Sequence, residues 1–141
     1  MRLEPLYRAV FTTPESWSVD LGGEGQSFLI AEGRTRGRVD ARLRAANYPR
    51  RRADDVLLPD FRGVLETDDG ATILFMWRGV TRTSAGGMRE LVGSITHVAE
   101  DERYSWLNEA VGAVAGDVRS RDGGGFDVVL EVSELVWEPL A

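Results

Sequence analysis

The stretch from Asp60 to Thr81 constrains the fold most strongly, because it is typical of one long β-hairpin. Apolar runs at 61–65 and 71–80 flank the segment Thr67-Asp-Asp-Gly70, and an Asp-Gly pair readily adopts the positive φ angles of a tight turn. The second run is apolar at both alternating positions, so we expect both faces of that strand to meet dry surroundings or a ligand. The hairpin therefore predicts a closed or sandwiched antiparallel sheet.

The length and composition limit the class of protein. With 141 residues, the chain is long enough for one domain with a real core and too short for two, so we predict a single domain over residues 1–141. A hydrophobic fraction of 43% and a charged fraction of 28% are typical of a soluble globular protein, and no apolar run has the roughly 18 residues of a membrane helix. A proline and charges near the start favour a cytoplasmic location over export.

Charge and missing residue types exclude several functions. The net charge of −6 argues against nonspecific binding to nucleic acid. The chain has no cysteine, which excludes thiolate chemistry, and all 17 basic residues are arginine, which excludes Schiff-base lysines. A single histidine and acidic clusters without metal-loop spacing predict no metal site, and we predict no cofactor.

The rest of the chain reads mainly as further strands. Strands are predicted at 3–12, around residues 17–21, and at 26–32, 34–44, 89–98, 111–119 and 126–137, with a long loop at 45–55 and a turn-rich link at 82–87. Asp101 and its acidic neighbours predict one short helix over residues 100–109. The tally of eight or nine strands predicts an all-β fold, an antiparallel β-barrel with one short helix.

Three separated motifs resemble a known family. They are Glu66-Thr-Asp-Asp-Gly-Ala-Thr-Ile73, Arg78-Gly79 and Glu102-Arg-Tyr-Ser-Trp-Leu-Asn108, and the opening Leu3-Glu-Pro-Leu-Tyr7 also fits. Together they resemble domain-of-unknown-function family 3237 over nearly the whole chain. The resemblance implies a lipocalin-like antiparallel barrel, described as a dimer, with no settled activity. Where commoner members have a glycine-rich segment leading to Asp-Trp, this chain has residues 46–52, so no ligand is carried across.

Three residues are candidates for catalysis. His97 is the only histidine and would act as a general acid/base lining the barrel, or it would be a strand-end residue bonded to a backbone carbonyl. Arg78 would hold a carboxylate or a developing oxyanion, or it would pair with Asp60 or Glu66 across the hairpin. Asp60 would serve as a base if a dry cavity raised its pKa. Asp68 and Asp69 are expected to serve the turn only.

Six further residues are candidates for binding a ligand, and each has a structural alternative. The loop residues could orient a substrate, the aromatic residues could line a cavity or simply form the core, and the arginine-rich alternation at 34–44, with residues 50–52, could hold an anion or a partner, or be solvated and paired. The candidates are Asn47, Tyr48, Glu66, Phe75, Trp77 and Arg44.

These residues support two hypotheses of different classes. The first is a cofactor-independent isomerase, cyclase or lyase in which His97 moves a proton and Arg78 stabilises an oxyanion. The alternative is a carrier barrel that binds an apolar or anionic small molecule without changing it. The expected partners are a small-molecule ligand and, from the resemblance, a second copy of the chain, but neither nucleic acid nor a membrane.

Overall fold

The computed structural model describes residues 1–84 and 88–141, and most of these residues lie in β-strands. The described residues form ten strands, which are β1 Arg2–Leu21, β2 Glu24–Gly37, β3 Ala41–Asn47, β4 Arg50–Arg51, β5 Leu57–Leu58, β6 Asp60–Thr67, β7 Thr72–Thr83, β8 Arg89–Ala99, β9 Val111–Ser120 and β10 Phe126–Val136. A short 3-10 helix, Ser105–Glu109, precedes β9. No helix in the described ranges is long and apolar enough to cross a membrane.

Eight of the strands close into a ring. Each pairs with its neighbours antiparallel, in the order β1-β10-β9-β8-β7-β6-β3-β2 and back to β1. Closure pairs each of these eight strands with a neighbour on both sides over part of its length, while residues 15–21 of β1 extend beyond β10 and pair with β2 alone. The predicted antiparallel β-barrel is therefore confirmed.

The central hairpin is confirmed, with β6 and β7 joined at Thr67 to Ala71. Gly70 has a φ of +95°, which only glycine adopts without strain. The Thr67 hydroxyl accepts a hydrogen bond from the Ala71 backbone N–H at 2.7 Å and lies 2.6 Å from the Asp69 carboxylate, to which it donates. The turn is thus fixed by side chains as well as by backbone conformation.

The expectation that both faces of β7 lie in dry surroundings is wrong for the single chain. Ile73, Phe75 and Trp77 are buried inside the ring, but Leu74 and Met76 on the other face are 55% and 40% exposed. A closed barrel has one interior, so only alternate residues of each strand reach the core. The apolar side chains outside the ring need another explanation.

Two strand predictions are corrected at the start of the chain. The two strands expected at 3–12 and 17–21 are one continuous strand, β1, with a register shift between Thr12 and Glu15. The single strand expected at 34–44 is two strands, because Gly37 has a φ of +143° and its N–H donates to the Asp40 carboxylate at 3.0 Å. The alternation of buried and exposed residues continues across this turn, so the sequence pattern did not indicate the turn.

Three other predictions also need correction. Residues 100–109 form turns and the 3-10 helix in place of the expected α-helix, because the Asp101 carboxylate accepts hydrogen bonds from Arg103 within one tight turn. The long loop at 45–55 begins later, since β3 extends to Asn47, and it contains β4. Of the link at 82–87, Arg82 and Thr83 belong to β7, while residues 85–87 lie outside the described residues.

The two ends of the barrel are built differently. At the closed end, the turn at 67–71 meets the segment 99–110, whose Leu107 is fully buried beneath the ring. At the open end, the segment 48–59 crosses between strands: β4 pairs with β2 (Arg51 with Gly25) and β5 pairs with β7 (Leu57 with Thr81). This crossing segment frames the barrel mouth.

Candidate ligand-binding site at the open end

A cavity of about 640 Å³ occupies the open end of the barrel. This volume is within the range of roughly 300–1,000 Å³ that small-molecule sites occupy. The apolar side chains that line it are Leu29, Pro49, Leu57, Pro59, Phe61, Leu91, Val118, Phe126 and Val128. Its polar lining comes from Thr13, Ser16, Ser18, Ser27, Asn47, Arg51, Asp55, Thr81, Arg82, Thr83 and Arg89. The cavity therefore offers apolar contact area together with many hydrogen-bonding groups.

Alternation along the strands builds one wall of this cavity. Thr81 and Thr83 lie at alternate positions of β7 and share its inner face with the buried Trp77. Arg89 and Leu91 are opposite them on β8, with Thr83 paired to Arg89 and Thr81 to Leu91. Two hydroxyl groups and one guanidinium group are therefore neighbours on a single wall.

Arg89 differs from the other arginines that line the cavity. Arg51 pairs with Asp20 at 2.7 Å, and Arg82 pairs with Glu90 at 3.4 Å. Arg89 is half-buried, lies over the Phe126 ring at 5.1 Å from its centroid, and forms no ion pair or side-chain hydrogen bond with a described residue. The residues at 85–87 are Ala-Gly-Gly, which carry no carboxylate. The Arg89 guanidinium is therefore left without an anionic partner among the residues that the structure describes.

Asn47 is the sequence-predicted ligand-binding residue that lines the cavity. It is the last residue of β3 and is 8% exposed. Its side-chain oxygen accepts a hydrogen bond from the Asp60 backbone N–H at 3.0 Å, which ties the end of the 48–59 segment to β3. The Asn47 side chain therefore stabilises the local backbone and also forms part of the cavity wall.

The structure does not bring the three predicted catalytic residues together. His97 lies inside the barrel, pairs in register with Phe75, and is absent from the cavity lining. Arg78 and Asp60 are register partners on the outer face, with the Arg78 Nε 3.5 Å from the Asp60 carboxylate. Adjacent parities of a strand point to opposite faces, so the barrel wall separates His97 from Arg78.

His97 has a buried partner that the sequence did not reveal. Its Nε2 is 2.7 Å from the Tyr7 hydroxyl, and its Nδ1 is buried with no hydrogen-bond partner among the described residues. Burial lowers the pKa of His97 to about 4 and raises the pKa of the Tyr7 hydroxyl above its usual value. The imidazole is therefore neutral near pH 7.

The other predicted ligand-binding residues lie away from the cavity lining. Phe75 and Trp77 are buried core residues, with Trp77 stacked on Phe61 at 4.2 Å between ring centroids. Tyr48 is 55% exposed beside Phe28, and the side chains of Glu66 and Arg44 are exposed on the outer face. Trp77 thus supports the cavity only indirectly, through the Phe61 ring.

Sequence reasoning missed Arg89, although the sequence contains a signal for it. Arg89 has the same parity on its strand as Leu91, Ile95 and His97, which are all buried. An arginine that continues a buried row predicts a charge facing the barrel interior. Thr81 and Thr83 could be found in the same way, from the inner row of β7.

The residues of two of the family-like motifs, 66–73 and 102–108, lie at the closed end instead. The Tyr104 hydroxyl donates to the Asp69 carboxylate at 2.8 Å, and Arg103 bonds the Asp69 carbonyl at 3.0 Å. The Asn108 side chain bonds both backbone groups of Ala99, and Arg38 lies over the Trp106 ring at 4.1 Å. These motif residues therefore join the hairpin turn to the 3-10 helix.

In residues 1–84 and 88–141, no three acidic or histidine side chains cluster to hold a metal ion.

The fold and cavity define a small β-barrel protein that is open at one end. The family model described as a protein of unknown function, DUF3237, matches residues 1–135. The chain belongs to this family. No curated protein is similar to it in sequence.

Solved structures show the same fold. A β-barrel-like protein from Acinetobacter baumannii is 20% identical, with a TM-score of 0.76 over 94% of this chain and 95% of that one. A protein of unknown function from Clostridium acetobutylicum is 14% identical, with a TM-score of 0.81 over 96% of this chain and 100% of that one. An enzyme from Penicillium herquei is 20% identical, with a TM-score of 0.67 over 93% of each chain. At these identities the likeness establishes the fold alone.

Proposed function

We propose that this protein binds a small molecule with an apolar body in the cavity at the open end of the barrel. The observation that carries this proposal is the cavity of about 640 Å³ lined by Leu29, Phe61, Leu91 and Val128. Burial of an apolar ligand there contributes roughly 25 cal/mol for each Å² removed from water. The polar groups at the rim would orient the ligand.

Two features support a preformed site. The segment 48–59 is tied by backbone pairing at both β4 and β5, and Asn47 fixes its end. The apolar lining is backed by the Phe61–Trp77 stack, so those rings do not need to move to admit a ligand. A preformed cavity spares the ligand the entropy cost of ordering the wall.

Nile red, a neutral solvatochromic dye, tests this proposal. We expect it to bind the wild-type protein with a blue shift, and a Val118→Trp variant to lose that binding because the indole fills the cavity. Val10→Trp is the matched control, since Val10 is 51% exposed on the outer face of β1. Wild-type protein that leaves the dye spectrum unchanged, or equal binding by Val118→Trp, would contradict the proposal.

Acid/base catalysis on a bound molecule is a second candidate, favoured by the Tyr7–His97 pair. A neutral imidazole with an unpartnered Nδ1 could exchange a proton with a substrate that reached it. The structurally similar Penicillium herquei protein is described as an enzyme, which is compatible with this candidate. Wild-type protein and His97→Gln would be incubated with a metabolite extract. A compound consumed by the wild type alone would support catalysis, and identical mass spectra would reject it.

The apolar residues on the outer face support a further proposal, that two copies of the chain associate there. Val64, Leu74 and Val98 form one cross-strand row, and Val80, Val92 and Ala115 form another, all with outward parity. A two-fold axis between the rows would set the exposed Glu66 of one copy near Arg82 of the other. This arrangement would also give the outer face of β7 the dry surroundings that its sequence suggests.

Sedimentation velocity tests the association directly. We expect a dimer for the wild type, and a monomer for Leu74→Glu because the new carboxylate would be buried unpaired. The control is Val10→Glu, which places the same charge at an exposed valine of β1. A monomeric wild type, or a dimer that survives Leu74→Glu, would reject this interface.

A further inference from the structure

The Arg89 guanidinium, which has no ion-pair partner in residues 1–84 and 88–141, bears on the chemical class of the ligand. We infer that the ligand is a monoanionic carboxylic acid whose carboxylate binds Arg89 while its apolar body fills the cavity. This inference rests on the proposed function, because it concerns the same cavity. The inference adds the charge of the ligand, its orientation in the cavity, and the residue that binds its charged group.

Of the arginines that line the cavity, Arg89 is the one without a carboxylate partner among the described residues. Arg51 pairs with two carboxylates, those of Asp20 and Asp55, and Arg82 pairs with Glu90. Arg89 has no such partner among the described residues. The attraction for a negative charge is therefore local to the Arg89 guanidinium, within a chain whose net charge is −6.

Other unpaired arginines do not share the position of Arg89. Arg42, Arg44 and Arg50 also form no ion pair with a described residue, but they are exposed to solvent and do not line the cavity. Arg89 is half-buried against Phe126, where its charge is less hydrated. A partly desolvated guanidinium gains more from an anion than an exposed one does.

The neighbouring groups suit a carboxylate. A guanidinium presents paired N–H groups that match the two oxygens of a carboxylate. Thr83 is directly opposite Arg89, and Thr81 is one inner position further along β7. Neither hydroxyl forms a hydrogen bond with a described residue, so both can donate to the same anion. Val118 is the register partner of Arg89 on β9, Val128 is the partner of Val118 on β10, and Leu91 is one inner position further along β8; these three side chains would contact the apolar body.

Calorimetry with decanoate and decan-1-ol tests the inference, because both probes have ten carbons in an unbranched chain and only decanoate has a charged head group. We expect the wild type to bind decanoate at least about tenfold more tightly than the alcohol, because a hydrogen bond between two charged groups is stronger than one to a neutral hydroxyl. In Arg89→Gln, the ratio of the two affinities should fall towards one. Arg89→Lys should keep only part of the preference for decanoate. It keeps the positive charge but loses the paired N–H groups that match the two oxygens of a carboxylate.

Arg50→Gln is the matched control, since it removes one exposed, unpaired arginine that does not line the cavity. We expect it to keep the wild-type preference for decanoate. Equal affinity of the wild type for both probes, or a preference unchanged in Arg89→Gln, would overturn the inference while leaving Nile red binding intact. If neither probe nor Nile red binds, the proposed function itself fails.

Discussion

The two ends of this barrel contrast in how their polar groups are used. At the closed end, the Asp69 carboxylate accepts hydrogen bonds from Thr67 and Tyr104 and pairs with Arg103 at 3.2 Å. At the open end, Arg89 and the hydroxyls of Thr81 and Thr83 have no partner among the described residues. Polar groups that satisfy one another stabilise a fold, whereas polar groups left open around a cavity are available to a ligand.

This contrast separates the family-like motifs from the candidate site. The motif residues at 66–73 and 102–108 meet each other at the closed end and hold the hairpin turn against the 3-10 helix. Arg89 and Thr81 lie outside these motifs. We therefore expect substitutions at the closed end to change stability and substitutions at the open end to change binding.

The largest expected effect is on stability, from Leu107→Ala at the closed end. Leu107 is fully buried and closes the barrel, so its truncation should cost about 2–5 kcal/mol in the free energy of unfolding. Leu57→Ala at the mouth is the matched control and should cost less, because Leu57 is only half-buried. Urea denaturation measures both variants, and equal losses would remove the contrast between the ends.

Stability should also depend on pH through His97. Its pKa is about 4 in the folded chain and near 6.5 when unfolded, so the unfolded state takes up the proton first as the pH falls. The stabilising effect of a neutral His97 is complete above pH 6.5 and is lost between pH 6.5 and 4, by about 3 kcal/mol at 1.36 kcal/mol for each pKa unit. His97→Gln should flatten the stability curve in this interval, and an unchanged slope would contradict the assignment.

A smaller loss of stability is expected from Thr67→Val, which keeps the side-chain shape and removes the hydroxyl. The buried backbone N–H of Ala71 and the Asp69 carboxylate each lose a partner, at a cost of about 1–3 kcal/mol. Thr72→Val is the control, because Thr72 is exposed on the outer face. Thermal unfolding compares the two, and decanoate affinity should stay at the wild-type value in Thr67→Val.

The smallest expected effect on stability is that of acid on the closed-end carboxylates. Hydrogen bonds from Thr67 and Tyr104 lower the pKa of Asp69, and the Arg103 guanidinium lowers that of Asp101 to about 2. A lowered folded pKa gives stability that is present above the unfolded value of 3.8 and is lost as the pH falls through the folded value. In the His97→Gln background, Asp101→Asn should reduce the remaining acid sensitivity below pH 4, as measured by urea denaturation. No change there would contradict the pairing.

The sequence predicted the barrel well because strand alternation and turn residues are local signals. The hairpin at 60–81 and the strands near 89–98, 111–119 and 126–137 agree with the structure to within a few residues. The turn at 37–40 was missed because the alternation of buried and exposed residues continues through it. The helix at 100–109 was wrong because Asp101 serves a tight turn.

The candidate site was predicted less well, since a site depends on which strand ends meet in space. Asp60 and Arg78 form an ion pair, which was the structural alternative for Arg78 in the sequence analysis, but this pair lies on the outside of the ring. Asn47 lines the cavity, whereas His97 is further inside, bonded to Tyr7, a contact between residues 90 positions apart. No local pattern reports such a contact. The inner-face parity of Arg89 could have been read from the strand.

Titration of the ¹⁵N-labelled protein with decanoate, followed by amide chemical shifts, tests the separation of the two ends most directly. The predicted result is a set of saturable shifts at the open end, around Thr81, Arg89 and Val118, with little change at the closed end around Asp69, Tyr104 and Leu107. Shifts centred on the closed-end residues, or shifts spread evenly over the barrel, would contradict the account.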